Sequence, residues 1–114
     1  MTRPRLATHM LVAVLRRRIA NAGGFFTVVA KGDADAGAIL LIAHHNRRNS
    51  VLLERRYAGD KGYVLAQVGP QDVGTLEQCE QYAVTRRASD PDLWVIEADI
   101  ANAERFAAET IADG

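Results

Sequence analysis

The stretch "AILLIA", residues 38–43, limits the fold more than any other part of this chain. Six apolar residues stand together with no polar alternation. A strand with one wet face alternates apolar and polar side chains. An unbroken apolar run this short therefore reads as a strand covered on both faces, in the middle of a sheet. Helices are then expected on both sides of that sheet. The chain has material for this: 48% of its 114 residues are hydrophobic and 25% are charged. That balance is ordinary for a globular protein, and one domain over residues 1–114 is expected.

The flanking segments supply the other elements. Residues 8–22 place Leu11, Val14, Leu15, Ile19 and Ala22 at helical spacing, and the "GG" at 23–24 ends the helix. "FFTVVA" with Lys31, then 50–57 and 63–68, read as strands, with "AGDKG" as a hairpin turn between the last two. "TLEQ" makes a capping box with Thr75 as N-cap and Gln78 three residues on, so a second helix starts there. Pro91 bars its continuation. Residues 93–99 are a fifth strand and 102–112 a short amphipathic helix. The order is α-β-β-β-β-α-β-α. Four successive strands with short connections predict an α+β fold with a mostly antiparallel sheet of about five strands in a meander. In that arrangement "GDADAG", residues 32–37, is the hairpin connection between the first two strands. Its glycines are expected to take φ > 0, and its aspartates to bond nearby amides.

Net charge is zero, but residues 1–57 carry +7 and residues 58–114 carry −7. The two halves are expected to neutralise each other on folding and to leave no large basic patch. No apolar run approaches the ~18 residues that span a bilayer. The N-terminal "MLVAVL" is too short for a secretory signal and runs into three arginines. With Cys79 as the one cysteine, no intrachain disulfide can form, and a cytoplasmic protein is expected.

The chemistry-bearing residues are few. Counted from Asp33, a calcium loop would need ligands where Gly37 and His44 stand, so that motif fails. Asp33 and Asp35 could hold Mg²⁺ with a ligand phosphate, but a turn held by its own backbone is favoured. His44 and His45 point to opposite faces if a strand runs through them, and Cys79 has no companion ligand, so no metal site is expected. No dinucleotide fingerprint, phosphate loop or nucleophile elbow occurs, and no cofactor is expected. Trp94 and Cys79 read as core residues. Glu97 shares a face with Val95 and, if buried, needs a partner such as an arginine of the first helix.

"RRR" at 16–18, "GDADAG" and then "DPDLWVIE" at 90–97, in that order, resemble a family of short bacterial proteins, mostly alphaproteobacterial. Its members carry an arginine pair, a GDxDAG turn and a DPDLWVVE-like strand. The likeness spans residues 5–99. The family is a domain of unknown function, so the resemblance lends no catalytic role. It implies that Gly32, Asp33, Asp35, Ala36, Gly37, Asp90, Pro91, Asp92, Leu93, Trp94 and Glu97 belong to family motifs.

The function expected from these readings is a small cytoplasmic binding or protein-interaction module. Its partner is an unidentified protein or small ligand, a second copy included. Asp33, Asp35, Gly37, Asp90, Asp92, Trp94, Glu97, Arg16 and Arg17 are the candidate binding residues. Two alternatives stand beside it. One is a metal- or phosphate-dependent enzyme using the GDADAG turn. The other, not favoured, is a binder of RNA or another polyanion through the arginine-rich half.

Overall fold

In a computed structural model, residues 6–69 and 74–112 are described. The elements run α1 (Thr8–Asn21), β1 (Phe25–Ala30), β2 (Ile39–His45), β3 (Arg48–Tyr57), β4 (Tyr63–Gln67), α2 (Leu76–Ser89), β5 (Trp94–Asp99) and α3 (Ala103–Ile111). Arg3 and Arg5, counted in the basic half, lie outside the described residues.

The α+β class and the order of elements agree with the sequence reading, but the meander does not. The five strands lie in the order β1-β5-β2-β3-β4. β5 separates β1 from β2 and pairs with β2 in parallel, so the sheet is mixed. The GDADAG loop is consequently not a hairpin; it carries the chain past the start of β5. The physical reason lies in burial. β5 is almost as apolar as β2, with Trp94, Ile96 and Ala98 buried on one face and Val95 on the other. Placing the two side by side in the centre shields both strands twice over. β1, alternately exposed and half-buried, takes the edge.

The expected helices on both faces are present. Ile39, Leu41 and Ala43 pack with Leu11, Leu15 and Ile19 of α1 and with Ala107 and Ile111 of α3. Leu40 and Ile42 pack on the other face with Leu76, Cys79 and Ala83 of α2. The Thr75–Gln78 capping box forms as expected. Burial, then the charge of Glu80, pushes the Cys79 thiol up from its ordinary value. A two-residue turn of Asn46 and Arg47, both with φ > 0, closes β2–β3, which is the turn that suits a twisted hairpin. At α1, Arg18 reaches α3, donating to Thr110 Oγ1 at 2.6 Å and to Glu109 at 2.9 Å. Arg105 and Arg18 together hold the Glu109 carboxyl below its ordinary value. Among the described residues no helix is long and apolar enough to cross a membrane.

Candidate functional site

The candidate residues separate into three places. The first is a clasp at the end of the sheet where β5 begins. Asp33 Oδ2 accepts the amides of Asp35 (3.2 Å) and Ala36 (2.9 Å), so its carboxylate is committed to its own turn. The Asp33 amide donates to the Asp92 carbonyl at 3.0 Å. Trp94 Nε1–H donates to the Asp33 carbonyl at 2.7 Å. Asp90 Oδ1 accepts the Asp92 amide at 3.1 Å, shaping the turn into β5. The carbonyls of Ala34 and Asp35 accept the amides of His9 and Thr8, two donors that the first turn of a helix leaves without partners. The two acidic motifs therefore lean on each other and on the start of α1. Thr8, which sequence reasoning passed over, is buried in this clasp with its hydroxyl donating to the Gly37 carbonyl at 3.0 Å.

Gly32 and Gly37 are needed here for a reason other than the one expected. Neither has φ > 0; among the described residues the left-handed glycines are Gly23, Gly59, Gly62 and Gly69. Instead a Cβ at either Gly32 or Gly37 would run into the Asp92 carbonyl. Gly37→Ala is expected to cost about 1–3 kcal/mol, the usual range for forcing atoms into a packed site. Asp33→Asn should stay within about 0.5 kcal/mol, because an amide oxygen still accepts. Thermal unfolding of the two variants side by side checks both. Among the described residues no three His, Cys, Asp or Glu side chains gather as a cation would require.

The second place is a cleft on the α2 face. α2 covers β2 and β3 but leaves the β1 side of the sheet open. The cleft has a volume of about 470 Å³ and is lined by Val29, Ala30, Ile42, Ala83, Val84, Ala88 and Val95, with Glu80, Arg87 and Glu97 as its charged members. α2 contributes residues 80, 83, 84, 87 and 88, one helical stripe. Arg87 donates to the Lys31 carbonyl at 2.8 Å, which places it at the end where β1 finishes. Glu80 lies about two turns back along α2, towards Glu97.

The partner expected for Glu97 is corrected by the topology: α1 lies on the opposite face and cannot reach it. Glu97 Oε2 instead stands 3.4 Å from Nε2 of His44, whose side chain is 3% exposed. The sequence reading set His44 aside. Its Nδ1 accepts the Arg47 amide at 3.1 Å, so the ring carries its hydrogen on Nε2. That Nε2 makes no hydrogen bond of good geometry and faces the carboxylate. The buried carboxylate that does pair with arginine is Glu54, which accepts from Arg86 of α2 at 2.5 Å. That hydrogen bond, then one to Tyr82, raises the pKa of Arg86.

The third place is a groove between α1 and β1 on the other face, where Arg16, Arg17 and Trp94 come together with His9 and Lys31. The expected neutralisation of the two halves is thus partial. Arg18 meets Glu109, but among the described residues Arg16, Arg17 and Lys31 form no ion pair.

Known proteins place this arrangement. A crystal structure of a DUF1491 family protein from Caulobacter crescentus CB15 is 34% identical, with a TM-score of 0.72, over 89% of this chain and 91% of that one. An NMR structure of a DUF1491 family protein from the same organism has a TM-score of 0.76 at the same identity and coverage. The solution structure of protein Atu0922 from A. tumefaciens is 28% identical, with a TM-score of 0.69, over 85% of this chain and 87% of that one. No curated protein matches. The family model described as a protein of unknown function matches residues 6–108, and the chain belongs to that family, DUF1491.

Proposed function

We propose that residues 1–114 act as a single-domain binding module that holds a small apolar molecule with a cationic end in the cleft between α2 and the β1–β5 side of the sheet. The observation that carries this is an apolar lining and a carboxylate end within one cleft of about 470 Å³. That volume is within the range of small-molecule sites, ~300–1,000 Å³, and so is the pattern of apolar walls with a few charged groups. Ala83 and Ala88 keep the cleft open because their side chains are short. One Nη of Arg87 donates to the Lys31 carbonyl at the end where β1 finishes, while Glu80 and Glu97 add negative charge towards the other end. An ammonium group complements that end. The His44 ring stands beside Glu97 on the buried side, with its Nε2 3.4 Å from the carboxylate. A cytoplasmic setting is part of the reading, supported by Cys79, a buried thiol with no second cysteine in the chain.

Nile red, an uncharged dye whose emission rises in apolar surroundings, tests this on the full chain. It should bind and be displaced by dodecylamine below its micellar concentration. Dodecanoate should displace it at least about tenfold less well, equivalent to ~1.4 kcal/mol. Ala88→Trp fills the cleft from an exposed rim position and should abolish dye binding without unfolding the protein. Glu97→Gln should weaken the amine and leave the dye unchanged. Dye binding that survives Ala88→Trp would sink the cleft as the site. Equal displacement by amine and carboxylate would sink the charge preference.

A further inference from the structure

We infer that a second site lies on the opposite face of the sheet, where the groove between α1 and β1 takes a compact phosphate-bearing ligand through Arg16, Arg17 and Lys31. The three consecutive arginines of α1 part company in the fold. Arg18 is satisfied by Glu109 and Thr110 of α3. Arg16 and Arg17 line the groove instead and, like Lys31, form no ion pair among the described residues. Among the described residues no Asp or Glu lines this groove. The nearby Asp33 has its carboxylate occupied by two amides of its own turn.

Two elements supply the cations, so they are held at the two walls of one concavity rather than spread along a helix. Ala13 and Ala20 flank the arginines on α1, and their small side chains leave the groove open beside the guanidinium groups. Val28 and Trp94 supply an apolar floor. His9 adds a ring whose Nδ1 donates to the Ala34 carbonyl at 3.0 Å, which fixes its orientation. Two planar guanidinium forks and an ammonium within one groove match the oxygens of a phosphate or diphosphate. The volume, about 470 Å³, suits a molecule of nucleotide size or smaller. A compact ligand fits better than a long nucleic acid, because the whole chain carries no net positive charge.

Inorganic pyrophosphate is the probe, titrated into the full chain and followed by amide NMR at constant ionic strength. Saturable shifts are expected along residues 12–20 and at Lys31, with sodium sulfate giving shifts at least about tenfold weaker in affinity. Arg16 and Arg17 are exposed, so Arg16→Gln with Arg17→Gln should keep the spectrum of a folded protein and lower pyrophosphate affinity at least tenfold. Undiminished affinity in that double variant, or linear unsaturable shifts over all surface cations, would overturn the site. A twenty-nucleotide RNA provides the other arm. If it binds more than tenfold tighter than pyrophosphate, with a steep salt dependence typical of several phosphate contacts, the compact-ligand inference is wrong and an extended polyanion is the occupant.

Discussion

Arg86→Met is expected to cost about 3–5 kcal/mol of stability, the range found when one partner of a buried ion pair is removed. The pair joins β3 to α2: Arg86 Nη1 donates to Glu54 Oε1 at 2.5 Å, and Glu54 is 4% exposed. The loss has little to do with the pair's own attraction. It comes from leaving a carboxylate in a site without water or a counter-charge. A second variant separates this from simple loss of packing. Adding Glu54→Leu to Arg86→Met removes the stranded charge and should recover most of the loss. Urea melts of the wild type, the single and the double variant would measure this. A single variant that loses less than about 0.5 kcal/mol, typical of surface changes, would show that water reaches Glu54.

Leu15→Ala should cost about 2–5 kcal/mol, by lost burial and the cavity left behind. Leu15 is 0% exposed and belongs to the cluster that joins α1 to Trp94, Leu41 and Ile96. Its neighbour Val14 is 43% exposed, so Val14→Ala on the same helix should change stability by less than about 0.5 kcal/mol. The contrast tests the packing, since both substitutions raise helix propensity or leave it nearly unchanged. Equal melting temperatures for the two variants would mean that α1 does not hold the sheet through this face.

Particular residues mark where sequence reasoning succeeded and where it stopped. The charged groups were harder to place than the apolar ones. Arg16, Arg17 and Trp94, each singled out, share a groove, while Glu97 lies across the sheet from them. Spacing along α1 says which face an arginine occupies but not which strand lies opposite. Glu97 was expected to need an arginine of the first helix if buried, yet its neighbour is His44, one position past the apolar run that ends at Ala43 and brought alongside by the parallel pairing of β2 with β5. Gly32 and Gly37 were noticed for the wrong reason. A positive φ is a local property that a turn motif announces, whereas the approach of the Asp92 carbonyl comes from a segment far along the chain.

Helices, strands, the Thr75 capping box and the double burial of "AILLIA" follow from the sequence by itself, because each depends on side-chain periodicity or on contacts within a few residues. Strand order was decided only by the tertiary structure. Backbone N–H and C=O groups are the same in every strand, so β1 could have paired with β2 as readily as with β5. What separates the alternatives is the total burial once α2 has carried the chain across. With β5 between β1 and β2, the two most apolar strands occupy the doubly covered centre. The same crossover sets the GDADAG loop against the turn before β5 and opens one groove on each face beside β1.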